Sequence, residues 1–361
     1  MNKVVVLLSI FLSFGAVAEV VKTYYESGAL KTQENHKDGQ QEGETIIYYE
    51  SGKLKGKEKY KDGKLNGKQV IYFENGLLFR TGSYLNNQLH GSYKEFYDNG
   101  ARHKEIHYVH DKQEGLAKTF YKNDSLKGAF QYVNGQLHGE QLEYFESGAI
   151  QSRVNYKNGK QEGLATQYYQ SGGKEFVWNY VDGKLEGIVE AYYESGAIKT
   201  EMNVSNGVQD GTHREFYESG AIKLEQSAVN GLIEGIVKAY HENGAIRIEQ
   251  NKVNGKLEGV SKVYYESGAL QSKEFYKNGL LQGLVSNYYE SGAIKVTKPY
   301  SKGVAEGLAK GYFESGSLKG ETNYVNGEAH GVSKVYNEKG VLIIRENYVN
   351  GKLAGSWHRD K

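Results

Sequence analysis

The sequence predicts an all-β protein: an elongated, single-layer antiparallel β-sheet of tandem 24-residue β-hairpins. Three observations carry this: an aromatic residue recurring every 24 residues, glycine at fixed places in each period, and period-two alternation between the glycines. The aromatics stand at Tyr24, Tyr48, Tyr72, Phe96, Phe120 and so on to Tyr336, with no residue gained or lost across fourteen copies. With each copy numbered from its aromatic, position 5 is Gly in thirteen copies and Asp124 in the other. Position 16 is Gly in twelve, with Asn87 and Asp111 as substitutes, and position 20 is Gly in all fourteen. Asn and Asp are the next residues able to take positive φ, so positions 5 and 16 are turn positions.

One copy therefore reads strand, Glu-Ser-Gly turn, strand, Asn-Gly turn. Position 7 is Leu or Ile in twelve copies and position 13 is Tyr in ten, while even positions are polar, as in Lys55, Lys57, Lys59 and Lys61. Such alternation belongs to a half-buried strand, and no stretch carries the apolar stripe and caps of a helix. Short strands joined by Asn-Gly and Ser-Gly turns predict hairpins. Two strands in each of fourteen copies make about 28 strands. A β-solenoid with one copy per coil is the alternative architecture. A membrane-spanning barrel is not expected, because neither strand face has a continuous lipid-facing apolar band.

The remaining composition narrows the function. With 45 basic and 44 acidic residues the net charge is +1, which offers no field to nucleic acid and makes membrane-surface binding a poor fit. Tyr outnumbers Phe 31 to 12; in a single layer, Tyr can pack its ring while keeping its hydroxyl wet. Residues 1–18 read as a signal peptide: Lys3, an apolar run over Val4–Val17, and the small-x-small Ala16-Val17-Ala18, with cleavage between Ala18 and Glu19. The expectation is an exported protein, periplasmic or secreted, whose repeat array fills residues 19–361 and holds without disulfides, since Cys is absent.

Tyr48-Tyr49-Glu50-Ser51-Gly52-Lys53-Leu54-Lys55, followed by Tyr60-Lys61-Asp62-Gly63-Lys64-Leu65-Asn66-Gly67, resembles the MORN-variant repeat. The likeness covers nearly all of Glu19 to Trp357. In bacteria such proteins are often described as similar to antitoxins of the YwqK type. The resemblance implies a hairpin ribbon with a binding role and implies no catalytic residues.

The residues offer little chemistry of their own. Nucleophilic catalysis needs a reactive side chain beside a base and an oxyanion pocket, whereas the recurrent Ser sits in a turn. Asn-Gly-Lys lacks the rest of a phosphate loop. His103, Glu105 and His107 alternate along one strand, a zinc-type set of side chains, but with neighbours roughly 7 Å apart they do not close on an ion by themselves. His90, His138 and His330 all precede the invariant glycine and form no cluster. No metal, cofactor or catalytic residue is assigned. One departure from uniformity is a candidate partner-contact patch: three consecutive copies replace the position-13 Tyr by Val204, Ala228 and Lys252.

The function expected is that of an exported, non-enzymatic protein-binding or scaffold surface in the cell envelope or outside the cell. An antitoxin or immunity protein is the alternative from another class. A glycan or a membrane surface ranks below a protein partner, the glycan because Trp178 and Trp357 are the only tryptophans.

Overall fold

The computed structural model describes residues 18–359. The expected signal segment lies outside the described residues except for Ala18, which opens strand Ala18–Tyr24 opposite Lys37, with Glu19 opposite His36. The chain forms two compact units, residues 1–174 with 179–184, and residues 175–178 with 185–361. Each is an open antiparallel meander of hairpins, and no helix occurs among the described residues.

In the first unit Ala18–Tyr24 pairs with Leu30–Lys37, which pairs with Gln40–Tyr48, which pairs with Leu54–Lys61. The second unit repeats the step: Ile222–Val229 pairs with Gly235–Tyr240, which pairs with Ile246–Val253. Strands that pair antiparallel with their chain neighbours on both sides exclude the solenoid, whose successive coils stack in parallel.

The turns form as their residues require. Asp38 and Gly39 have φ of 51° and 78°, the paired positive values of a type I′ hairpin turn. The substitutes adopt the same conformation, with φ of 66° at Asp124, 70° at Asn87 and 63° at Asp111. At the other turn, Gly28 N–H donates to the Tyr25 carbonyl at 3.0 Å and Tyr25 N–H to the Ala29 carbonyl at 2.8 Å.

The invariant position-20 glycine has a role that the repeat pattern alone did not reveal. Glu34 faces Thr45 and His36 faces Gln41, so two steps on one strand oppose four on the other. The excess is taken up in a bulge at Gly43, where φ is 94°. In ten copies the bulge cuts the strand in two, as with Lys64–Leu65 and Gly67–Tyr72, and with the opening strand Ala18–Tyr24 this gives 39 strands among the described residues rather than about 28.

The final strand, Lys352–His358, shows what the bulge does for register. Gly355 is the one position-20 glycine without positive φ. There Glu346 faces Ser356 and Arg345 faces Trp357, one residue out of step with every described neighbour of the same kind. A one-residue slip exchanges the two faces, and Trp357 stands 48% exposed.

The core is thin. Among the described residues no large side chain is fully buried. Buried apolar residues sit at position 22 (Ala117, Ala165, Val237) and position 24 (Ile71, Ala191, Ala239), with Phe120 the largest at 3% exposure.

Candidate contact surface

Strand alternation gives each unit two faces. One holds the odd positions of the first strand, including the Tyr of position 13, together with positions 22 and 24. The other holds positions 10, 12 and 14 with positions 17, 21 and 23.

Many polar groups are spent on the repeat itself. The Tyr at position 2 donates its hydroxyl to the next copy's position-1 carbonyl: Tyr25 to Tyr48 at 2.8 Å, Tyr49 to Tyr72 at 2.7 Å, Tyr217 to Tyr240 at 2.8 Å and Tyr265 to Tyr288 at 2.8 Å. His241 replaces Tyr in this ladder and places Nε2 3.1 Å from the Tyr264 carbonyl. These hydroxyls are thus not left in water, as the composition suggested. Each is a staple between successive copies, and a net bond of this kind stabilises by about 1 kcal/mol.

Other tyrosines bond carboxylates. Tyr93 donates to Glu95 at 3.0 Å and Tyr276 to Glu274 at 2.6 Å. Burial, then the carboxylate bond, raises each of these two hydroxyls to a pKa of about 12. For Tyr192 the bond to Glu190 comes first and burial second, again giving about 12. Burial pulls the Glu95 carboxyl up, but bonds from His103 and Tyr93 outweigh it and hold the group below its ordinary value.

A second link between copies is made by the Glu at position 19. Its carboxylate accepts the turn N–H of the following copy, as from Asp62 to Glu42 at 2.9 Å and from Asn254 to Glu234 at 2.7 Å. Where His takes that place, at His90, His138 and His330, Nδ1 is buried without a partner.

The structure separates the residues of the zinc-type motif. His103 Nδ1 lies 2.8 Å from Glu95, Glu105 takes Lys94 at 3.1 Å, and His107 is exposed. No group of three or more ligating side chains able to hold a metal occurs among the described residues.

Val204, Ala228 and Lys252 do fall along one row, facing the position-20 glycines Gly187, Gly211 and Gly235. Val204 and Ala228 are 5% and 1% exposed, so a docked segment would meet the residues around them. Gln113 and Gln161 bond the hydroxyls of Tyr108 and Tyr156 at 3.4 Å and 3.2 Å. Opposite Val204 the equivalent Gln209 has lost that hydroxyl, and its Nε2 is buried without a partner.

The second face is open. In the second unit its position-21 residues Ile188, Ile236, Leu284 and Leu308 are 57%, 60%, 55% and 42% exposed. Beside them Val208, Val229 and Leu232 are also exposed. Periodicity did not single these residues out, because each copy by itself presents one aliphatic side chain among polar ones. The signal was in reading position 21 down the copies.

The profile of the MORN repeat variant family matches eleven segments: residues 20–38, 41–62, 89–110, 113–134, 137–158, 185–206, 209–230, 233–251, 257–278, 305–326 and 329–350, more than half of the chain. The chain belongs to the MORN repeat variant family. It is a repeat protein of a family associated with binding and generally without enzymatic activity. Two stretches between the matched segments form the same hairpin, Gly67–Tyr72 with Leu78–Leu85 and Gly283–Tyr288 with Ile294–Ser301.

No curated protein matches. Among solved structures, a TcdB2-TccC3 complex without its hypervariable C-terminal region is 10% identical, with 92% of this chain and 23% of that one covered and a TM-score of 0.15. The Tc holotoxin pore of Photorhabdus luminescens gives 10%, 92%, 22% and 0.14. A porin-like protein from Bacteroides uniformis gives 11% identity, 97% and 92% coverage, and a TM-score of 0.12. The chain spans less than a quarter of the length of the first two.

Proposed function

We propose that this MORN-variant protein is an exported, non-enzymatic binding or scaffold protein that acts in the cell envelope or outside the cell. The observation that carries the reading is the contrast between polar groups used inside the repeat and a face left open. Position-2 hydroxyls and position-19 carboxylates are consumed in joining copies, while the second face repeats exposed aliphatic residues at one position. A folded chain that exposes apolar side chains in register, with its other face committed to packing, is suited to contact. Many weak contacts from a repeat add through their proximity.

The test has two arms. Material recovered from envelope and medium fractions begins at Glu19; recovery only of unprocessed chain from the cytoplasm would end the export reading. Proximity labelling in the native cell then identifies proteins on the surface. A Val204→Tyr, Ala228→Tyr, Lys252→Tyr variant that keeps every labelled partner removes that row from the contact surface.

A further inference from the structure

We propose that the open face of the second unit binds a second copy of this chain, related by a two-fold axis parallel to the strands and lying between the strands of Glu225 and Lys238. The proposal rests on the contact-surface reading above and names the partner.

Positions 10 and 23 alternate along this face. Successive strands place Glu190, Glu201, Arg214, Glu225, Lys238, Glu249, Lys262 and Lys273 in one row, each opposite the next. Within the chain Arg214 Nε already lies 3.1 Å from Glu225. A two-fold axis of this kind sets the row against its own reverse. Glu190 then meets Lys273, Glu201 meets Lys262, Arg214 meets Glu249, and Glu225 meets Lys238. All four kinds of contact join opposite charges, and each occurs twice. A ligand of a single charge sign would meet repulsion at half of these places; a reversed copy meets none.

The adjoining rows supply the apolar part. On the same strands Ile188 is brought opposite Phe275, 57% and 41% exposed, and Ile236 lies next to the axis at 60%. Val229, Leu232 and Val253, nearer the Asn-Gly turns, are 52%, 51% and 40% exposed. Eight strands at about 4.8 Å, and three side-chain rows about 7 Å apart, cover on the order of 800 Å² per partner. That is about the area of a standard specific interface. Two sheets with their faces together also pack at about 10 Å, a distance that these side chains fill.

The experiment uses the full-length folded chain and measures mass by sedimentation equilibrium and light scattering. Wild type is a dimer at tens of micromolar. Glu225→Lys places Lys against Lys on both sides of the axis, and Lys238→Glu places Glu against Glu, so each variant alone dimerises at least tenfold more weakly. An equimolar mixture of the two restores opposite charges at both places and recovers a heterodimer. Ile236→Glu, at a position exposed in the single chain, also dissociates the dimer while circular dichroism stays as in wild type. A monomeric wild type at 100 µM, a dimer indifferent to Glu225→Lys and Ile236→Glu, or a mixture no tighter than its components would each overturn the proposal. A monomer that still captures envelope proteins would remove only the homotypic contact and leave the binding function standing.

Discussion

Position 21 separates the two units more sharply than any buried position. Within the first unit it runs Glu44, Lys68, Ser92, Leu116, Glu140, Leu164; from residue 185 onward it runs Ile188, Thr212, Ile236, Val260, Leu284, Leu308, Val332 and, in the last copy, Ser356. Ser356 apart, both series sit on the same strand, in the same register, one strand position from the buried position-22 residues. The backbone does not distinguish them, so folding places no demand on this side chain. A position that the fold leaves free and that turns aliphatic over one region fits the contact surface proposed above. In the first unit the same position is mostly polar, with Leu116 and Leu164 as its exposed aliphatic exceptions.

The largest effect is expected from removing a side chain that the fold does demand. Phe120→Ala deletes the largest buried ring and its contact with the Arg102 guanidinium 4.1 Å away. The expected loss is about 3–5 kcal/mol, read as a collapse of amide-exchange protection in the copies around Phe120. Because a repeat array couples through nearest neighbours, protection beyond residue 185 should change much less.

Alkaline titration comes next. Tyr93, Tyr192 and Tyr276 have folded pKa values raised to about 12 against an ordinary 10. A raised folded pKa means that the stabilisation is complete below about pH 10 and is lost as the pH climbs through the folded value. Both units should therefore loosen between about pH 10 and 12, followed by tyrosinate absorbance together with the loss of strand signal. Tyrosines that ionise near pH 10 with no structural change would contradict the buried, carboxylate-bound hydroxyls.

A smaller and opposite effect is expected at the gap in the tyrosine row. Val204→Tyr returns an acceptor to Gln209 Nε2, buried and unpartnered in the wild type. The gain should be about 1 kcal/mol, seen as slower amide exchange around residues 204–211. Smallest of all is Ile236→Ala, which at a concentration low enough to keep the chain monomeric should shift stability by less than about 0.5 kcal/mol. The contrast between Phe120 and Ile236, both large and apolar, separates a side chain the fold buries from one it leaves exposed.

Much of the fold was legible because it is local. Asp38-Gly39 announces a type I′ turn, and Asp124, Asn87 and Asp111 confirm by substitution that the backbone conformation is what each place requires. The hairpin follows from turns and alternation without knowledge of any distant residue. The patch at Val204, Ala228 and Lys252 was legible as an interruption, but its burial was not, since exposure depends on side chains of adjacent strands. The zinc-type reading of His103, Glu105 and His107 weakened for the same reason: Glu95 and Lys94, on the paired strand, engage the first two.

The amino-acid sequence by itself determined the period, the turns and the alternation, since each arises within a few residues from φ preference and the pleat of a strand. Tertiary structure alone decided that Gly43 and its equivalents absorb a bulge, that Glu42 serves the turn of the following copy, and that the Tyr25 hydroxyl closes on the carbonyl of Tyr48. Register decided also that Glu201 to Lys262 form one row of alternating charge and that Trp357 changes face. These are relations between residues about one repeat apart or more, set by how strands lie beside each other, and no single copy contains them.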